Sequence, residues 1–81
     1  MDSVDKILKQ MRNNAANIRF SDLSLVCKKY FGEPRINGSH HYYKTPWEGD
    51  PRVCIQEKNG KAKAYQVKQI IKAIEKIEAG E

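Results

Sequence analysis

The chain predicts an α+β fold: a three-stranded antiparallel sheet with helices on one face, in the order helix, helix, strand, strand, strand, helix. Three observations lead there. Apolar residues recur at helical spacing in three stretches, from Val4 to Met11, from Leu23 to Tyr30 and from Val67 to Ile77. Between the second and third, residues alternate as strands do, and Asn37-Gly38 marks a hairpin, since a type I′ turn needs φ > 0 at both central positions. Strands between helices then pair antiparallel, with one face packed and the other wet. The 81 residues suffice for a single domain, 1–81, with a modest core.

Taken in order, Asp2 or Ser3 can cap a first helix, with Asp5 in its positive first turn. Val4, Ile7, Leu8 and Met11 form one narrow apolar stripe, which suits packing on the same domain or docking to a partner. Asn13-Asn14 ends it and Ala15-Ala16-Asn17 links onward, so 1–16 reads as an additional N-terminal helix and linker. Ser21 is the expected N-cap of a second helix, followed by Asp22. Leu23, Val26, Cys27 and Tyr30 form its buried face, and Gly32 takes the C′ position. Pro34-Arg35-Ile36 is a first strand and His40 to Thr45 a second. A loop with Pro46, Trp47, Gly49 and Pro51 follows, Trp47 anchoring it over the edge of the core. Arg52 to Gln56 is the third strand, and Lys58-Asn59-Gly60-Lys61 a turn. Tyr65 to Glu78 is the last helix, with Val67, Ile70, Ile71, Ile74 and Ile77 on one side.

Lys and Arg number 15 against 10 Asp and Glu, for a net charge of +5 and a pI near 9.3. That balance favours a polyanionic partner, nucleic acid above all, and says nothing of fold. No apolar run approaches the ~20 residues of a membrane span. The stretch from Met1 to Asp5 lacks the basic and apolar regions of a secretory signal, so Cys27 and Cys54 are expected as reduced thiols in a cytoplasmic protein. Two Cys and two His do not make a zinc site here. Structural sites bring ligands in close pairs, and the adjacent His40 and His41 point to opposite faces of a strand.

Register assigns the faces. Val53 and Ile55 point inward, so Arg52, Cys54 and Gln56 point outward. An Asn37-Gly38 turn sets Ile36 opposite Ser39 and Arg35 opposite His40, with Ile36 inward. Pairing Lys44 with Arg52 puts Tyr42 opposite Cys54 and His40 opposite Gln56. The outer face then carries Arg35, His40, Tyr42, Lys44, Arg52 and Gln56, while His41 and Tyr43 turn to the core. Histidine, with an unperturbed pKa of roughly 6.5, exchanges a proton near neutral pH. One such base among cationic, aromatic and amide groups is what binding and cutting RNA requires.

The segment Ile36-Asn37-Gly38-Ser39-His40-His41-Tyr42-Tyr43-Lys44 resembles the Gly-Ser-His-His segment of HicA toxins, small ribonucleases of bacterial toxin–antitoxin pairs. The resemblance runs from about Phe20 to Ile77. It implies a double-stranded-RNA-binding-domain (dsRBD)-like fold and a metal-independent mRNA endoribonuclease with His40 as the catalytic residue. It implies no cofactor, an mRNA substrate and a HicB-like antitoxin as partner. Gly38 and Ser39, with the outer-face residues and the weaker candidates Lys58 and Lys61, are the expected RNA contacts. Two departures stand out: the first helix is an addition, and the Pro-His segment and Gly-Thr of many members are replaced by the stretch from Gln56 to Ala64.

Two other functions compete with this one. A non-catalytic dsRBD-like module would use the same basic face and read shape and phosphates through helices and loops. It would not need a histidine at a turn exit. A pure interaction protein would dock through its first helix.

Overall fold

In the structure, a computed structural model that describes residues 3–46 and 52–80, three helices and a four-stranded antiparallel sheet form an α+β fold. In chain order these are α1 (Ser3–Asn13), α2 (Phe20–Phe31), β1 (Arg35–Asn37), β2 (His40–Lys44), β3 (Arg52–Lys58), β4 (Lys61–Ala62) and α3 (Ala64–Glu78). The strands lie in the order β1-β2-β3-β4. The expected Trp47, Gly49 and Pro51 loop, and the cap from Asp2 or the Ser3 side chain, lie outside the described residues. Among those residues no helix is long and apolar enough to cross a membrane.

The α1 stripe is part of the core. Val4, Ile7, Leu8 and Met11 are all buried, and α1 packs on α2 and α3. Its C-terminus closes in a turn: the Ala16 N–H donates to Asn14 Oδ1 at 3.3 Å and the Asn17 N–H to the Asn14 carbonyl at 3.1 Å. Side-chain acceptors of this kind are why Asn ends helices. Ile18 of the linker, Leu23, Val26 and Cys27 of α2, Tyr43, Ile55 and Ala62 of the sheet, and Val67, Ile70 and Ile74 of α3 complete the cluster. Burying such side chains contributes about 1.5–3 kcal/mol each. The helix ends share a tie at Glu78, which pairs with Arg12 at 3.8 Å and accepts from the Tyr30 hydroxyl at 3.4 Å. Exposed contacts like these are worth fractions of a kcal/mol.

Three expectations need correction. First, α2 starts at Phe20 with Arg19 at the cap, not at Ser21. Arg19 is extended and bridges Lys61 of β4, with the Ala62 N–H donating to the Ile18 carbonyl (2.9 Å) and the Phe20 N–H to the Gly60 carbonyl (3.0 Å). Backbone pairing satisfies a donor that a cap side chain otherwise would. Second, the sheet has four strands, not three. Lys58 pairs with Lys61 across Asn59-Gly60, both at positive φ (53° and 80°), as a type I′ turn requires. The two-residue β4 is too short to show a period of its own.

Third, the β1–β2 turn is Gly38-Ser39, not Asn37-Gly38. Asn37 stays in the strand opposite His40, and Gly38 alone takes positive φ (63°), the pattern of a II′ turn. The partners therefore shift by two positions, which keeps every side chain on its expected face and changes its neighbour. Ile36 shares the inner side with His41 but is 60% exposed, because β1 is the outside strand and the helices do not extend beneath it.

Candidate functional site

The β2–β3 register is the expected one: Lys44 with Arg52, Tyr42 with Cys54, His40 with Gln56. Because side chains alternate along a strand, His40, Tyr42 and Lys44 share a face with Arg52, Cys54, Gln56 and Lys58. In β1 the same face carries Arg35 and Asn37. Arg35 thus lies opposite Tyr42 and only diagonal to His40, a Cβ separation of roughly 7–8 Å, not the closer approach of a direct pair. Asn37, which sequence reasoning placed in the turn, stands directly across from His40.

His40 is half-buried, and its ring lies near-parallel to that of Tyr42, with centroids 5.9 Å apart and planes at 18°. Gln56, on its other side, is engaged within the protein. Its Oε1 accepts from Lys63 Nζ at 3.1 Å and from Gln66 Nε2 at 3.4 Å. Its backbone N–H donates to Gln66 Oε1 at 2.7 Å, where β4 has given way to α3. Gln66 is only 3% exposed and so fully engaged. This network brings in Lys63, a cation that sequence reasoning missed, beside the residue opposite His40. Reading Asn59-Gly60 as a hairpin would have placed it there, as the next residue after the returning strand.

The rest of the face is basic. Arg35, Lys44 and Arg52 gather around Tyr42 and line an open groove of ≈ 420 Å³, whose far wall includes Phe31 and Glu33. Glu33 also lies 4.0 Å from Lys28. Lys58 and Lys61 pair on the same face, and Arg19 joins them through its bridge to Lys61. Lys61 leans away from His40, donating from Nζ to Asn17 Oδ1 at 3.0 Å. No outward strand position holds a carboxylate, since Glu57 falls on the opposite parity. Gly38 and Ser39 are exposed at the turn tip.

The other histidine is turned away. His41 meets Phe20 edge-on beneath the sheet, centroids 4.9 Å apart and planes at 86°. Of the two thiols, Cys27 is buried and pushed up to about 12 by desolvation, which makes it an inert core residue. Cys54 sits on the basic face, where burial raises its thiol and the Lys63 ammonium partly offsets the rise. Among the described residues no three His, Cys, Asp or Glu side chains converge as metal ligands. No protein family, curated protein or solved structure compared with this chain matches it.

Proposed function

We infer that the chain is a HicA-like toxin: an mRNA endoribonuclease whose outer sheet face binds RNA and whose His40 is the general base. The observation that carries this reading is a histidine set on a sheet face between Asn37 and Gln56, with Arg35 and Lys58 at the diagonal positions and no carboxylate at an outward strand position. The Gly38-Ser39 turn leading directly into it, and the order α2, three strands, α3, support the family resemblance and a dsRBD-like core, to which α1 and β4 are additions.

RNA carries its own nucleophile, and the reaction follows from that. His40 takes the proton of a ribose 2′-OH, O2′ bonds to the adjacent phosphorus, and the P–O5′ bond breaks to leave a 2′,3′-cyclic phosphate. The departing O5′ is protonated by water or by Tyr42, whose ring lies beside His40; His41 is on the wrong side of the sheet to serve. A positioned general base supplies roughly 10²–10⁴-fold in rate, and cations at the developing charge add to it. Lys63 and Arg35 are the candidates for that role, and Lys44 and Arg52 those for flanking phosphates. Nothing in this route requires a metal or a cofactor.

A HicB-like antitoxin would silence the site most simply by covering it, with an acidic surface that complements the basic face and speeds association. Induced expression of wild type and His40→Ala, with growth and RNA integrity followed together, tests the reading. Arrest and RNA cleavage are expected from the wild type only, with 2′,3′-cyclic phosphate ends and no loss of activity in EDTA. Retained binding but no cleavage by either protein would favour a non-catalytic RNA-binding module instead.

A further inference from the structure

We propose that the cleft between the α1–α2 linker and β4 is a nucleobase subsite, reading one unpaired base of the RNA a short distance from the cut. This rests on the RNA-cleaving function inferred above and adds a specificity element to it. The cleft measures ≈ 550 Å³, within the range of small-molecule sites. Its chemistry is unusual for a basic chain, because carboxamides dominate the walls.

Gln10 and Asn13 project from the last turns of α1, and Asn17 from the linker. A carboxamide presents donor and acceptor side by side, the match for the hydrogen-bonding edge of a base, and unpaired bases are what proteins read in RNA. Asn17 spends its Oδ1 on Lys61 at 3.0 Å, which leaves its NH₂ to donate. Asp22 adds a pure acceptor from the first turn of α2. The helix that carries Gln10 and Asn13 is fixed, because Leu8 and Met11 bury its opposite side in the core.

The cleft also opens onto the basic face. Arg19 and Lys61 line it and are bridge partners at the β4 edge, so they stand where the backbone of a strand crossing from His40 would pass. Three strand spacings across and two residues along put the Cα atoms of Arg19 and His40 roughly 16 Å apart. A short run of extended single strand covers that distance. An anion site alone would use the two cations and leave the amides without a purpose.

The test uses ¹⁵N-labelled full-length His40→Ala protein titrated with a mixed-sequence single-stranded RNA octamer, following the side-chain amides of Gln10, Asn13 and Asn17 together with the backbone from Asn37 to Tyr42. Both sets are expected to move with one midpoint. Adding Asn13→Ala and Asn17→Ala should weaken binding roughly tenfold, the scale of a lost base-edge contact. If that combination does not fold, Gln10→Ala should weaken binding in the same direction. Movement of the sheet face without the amides overturns the subsite and leaves the RNA-cleaving reading standing; movement of neither removes both. Inorganic phosphate shifting the amides as far as RNA does would also overturn it, making the cleft a plain anion site.

Discussion

His40 and His41 are chain neighbours with opposite surroundings. His41 lies under the sheet with its ring edge-on to Phe20, among residues that build the core. His40 lies over the sheet beside Tyr42, within a field of Arg and Lys and across from Asn37 and Gln56. Nothing in the imidazoles themselves differs; the two-residue period of a strand separates them. The same contrast extends along β2, where Tyr43 is fully buried and Tyr42 only partly so. One face is packed and the other is charged, so under the proposed function a substitution should be felt in stability or in activity according to parity.

The sharpest way to break that division is to exchange the histidines for alanine one at a time. His40→Ala should lower RNA cleavage by about 10²–10⁴-fold with little change in melting temperature. His41→Ala should keep most of the activity and unfold earlier. Equal loss of cleavage from both variants, with both folded, would end the assignment by faces.

The tyrosines give the stability side of the comparison. Tyr43→Ala opens a cavity in the core and should cost about 3–5 kcal/mol in denaturant unfolding. Tyr42→Ala should cost on the order of 1 kcal/mol or less, with its main effect on RNA affinity. Similar costs at the two positions would show that the outer face is covered by something else.

The faces that separate these pairs were legible in the sequence from Val53 and Ile55, which had to point inward, and the separate choice to pair Lys44 with Arg52 matches the structure. The β1 pairing was harder. Asn37-Gly38 and Gly38-Ser39 both satisfy a two-residue turn, since a II′ turn needs only Gly38 at positive φ, and the strand alternation is the same for either. The faces survived the error, but the β1 neighbour of His40 is Asn37 and not Arg35. Ser21 failed as a cap because a distant carbonyl, that of Gly60, holds the Phe20 N–H. Lys63 was hidden because Lys58-Asn59-Gly60-Lys61 reads as a turn, and the strand that returns from it is only two residues long.

A smaller effect is expected at Cys27. Its thiol is raised from 9.0 to about 12 by burial, so the unfolded chain loses its proton first as pH rises. The stabilisation is whole below the unfolded value and is lost progressively above it, toward the folded one. Denaturation midpoints at about pH 8 and about pH 10.5 should therefore fall further for wild type than for Cys27→Ala. A parallel fall would exclude this thiol as the cause.

The smallest effect concerns the Tyr43 hydroxyl, buried without a hydrogen bond; the Ser24 side chain lies near it but outside hydrogen-bond geometry. Tyr43→Phe should be neutral or stabilising by up to about 1 kcal/mol in the same unfolding assay, because it removes an unmet polar group. A clear loss of stability would mean that the hydroxyl has a partner in solution.

The two sides of the sheet end differently, and this bears on how a partner can attach. At β4 the backbone is already paired with residues 18–20, and Gln66 completes the ladder beyond it. β1 is the outside strand at the other edge, three exposed residues entered from Pro34, which has no N–H to offer. Among the described residues β1 is therefore the open edge for strand addition by another chain, and a strand docked there runs alongside Arg35 and Asn37. Asn37 is the residue across from His40, so backbone recognition at this edge would also bring the docked chain beside the His40 face.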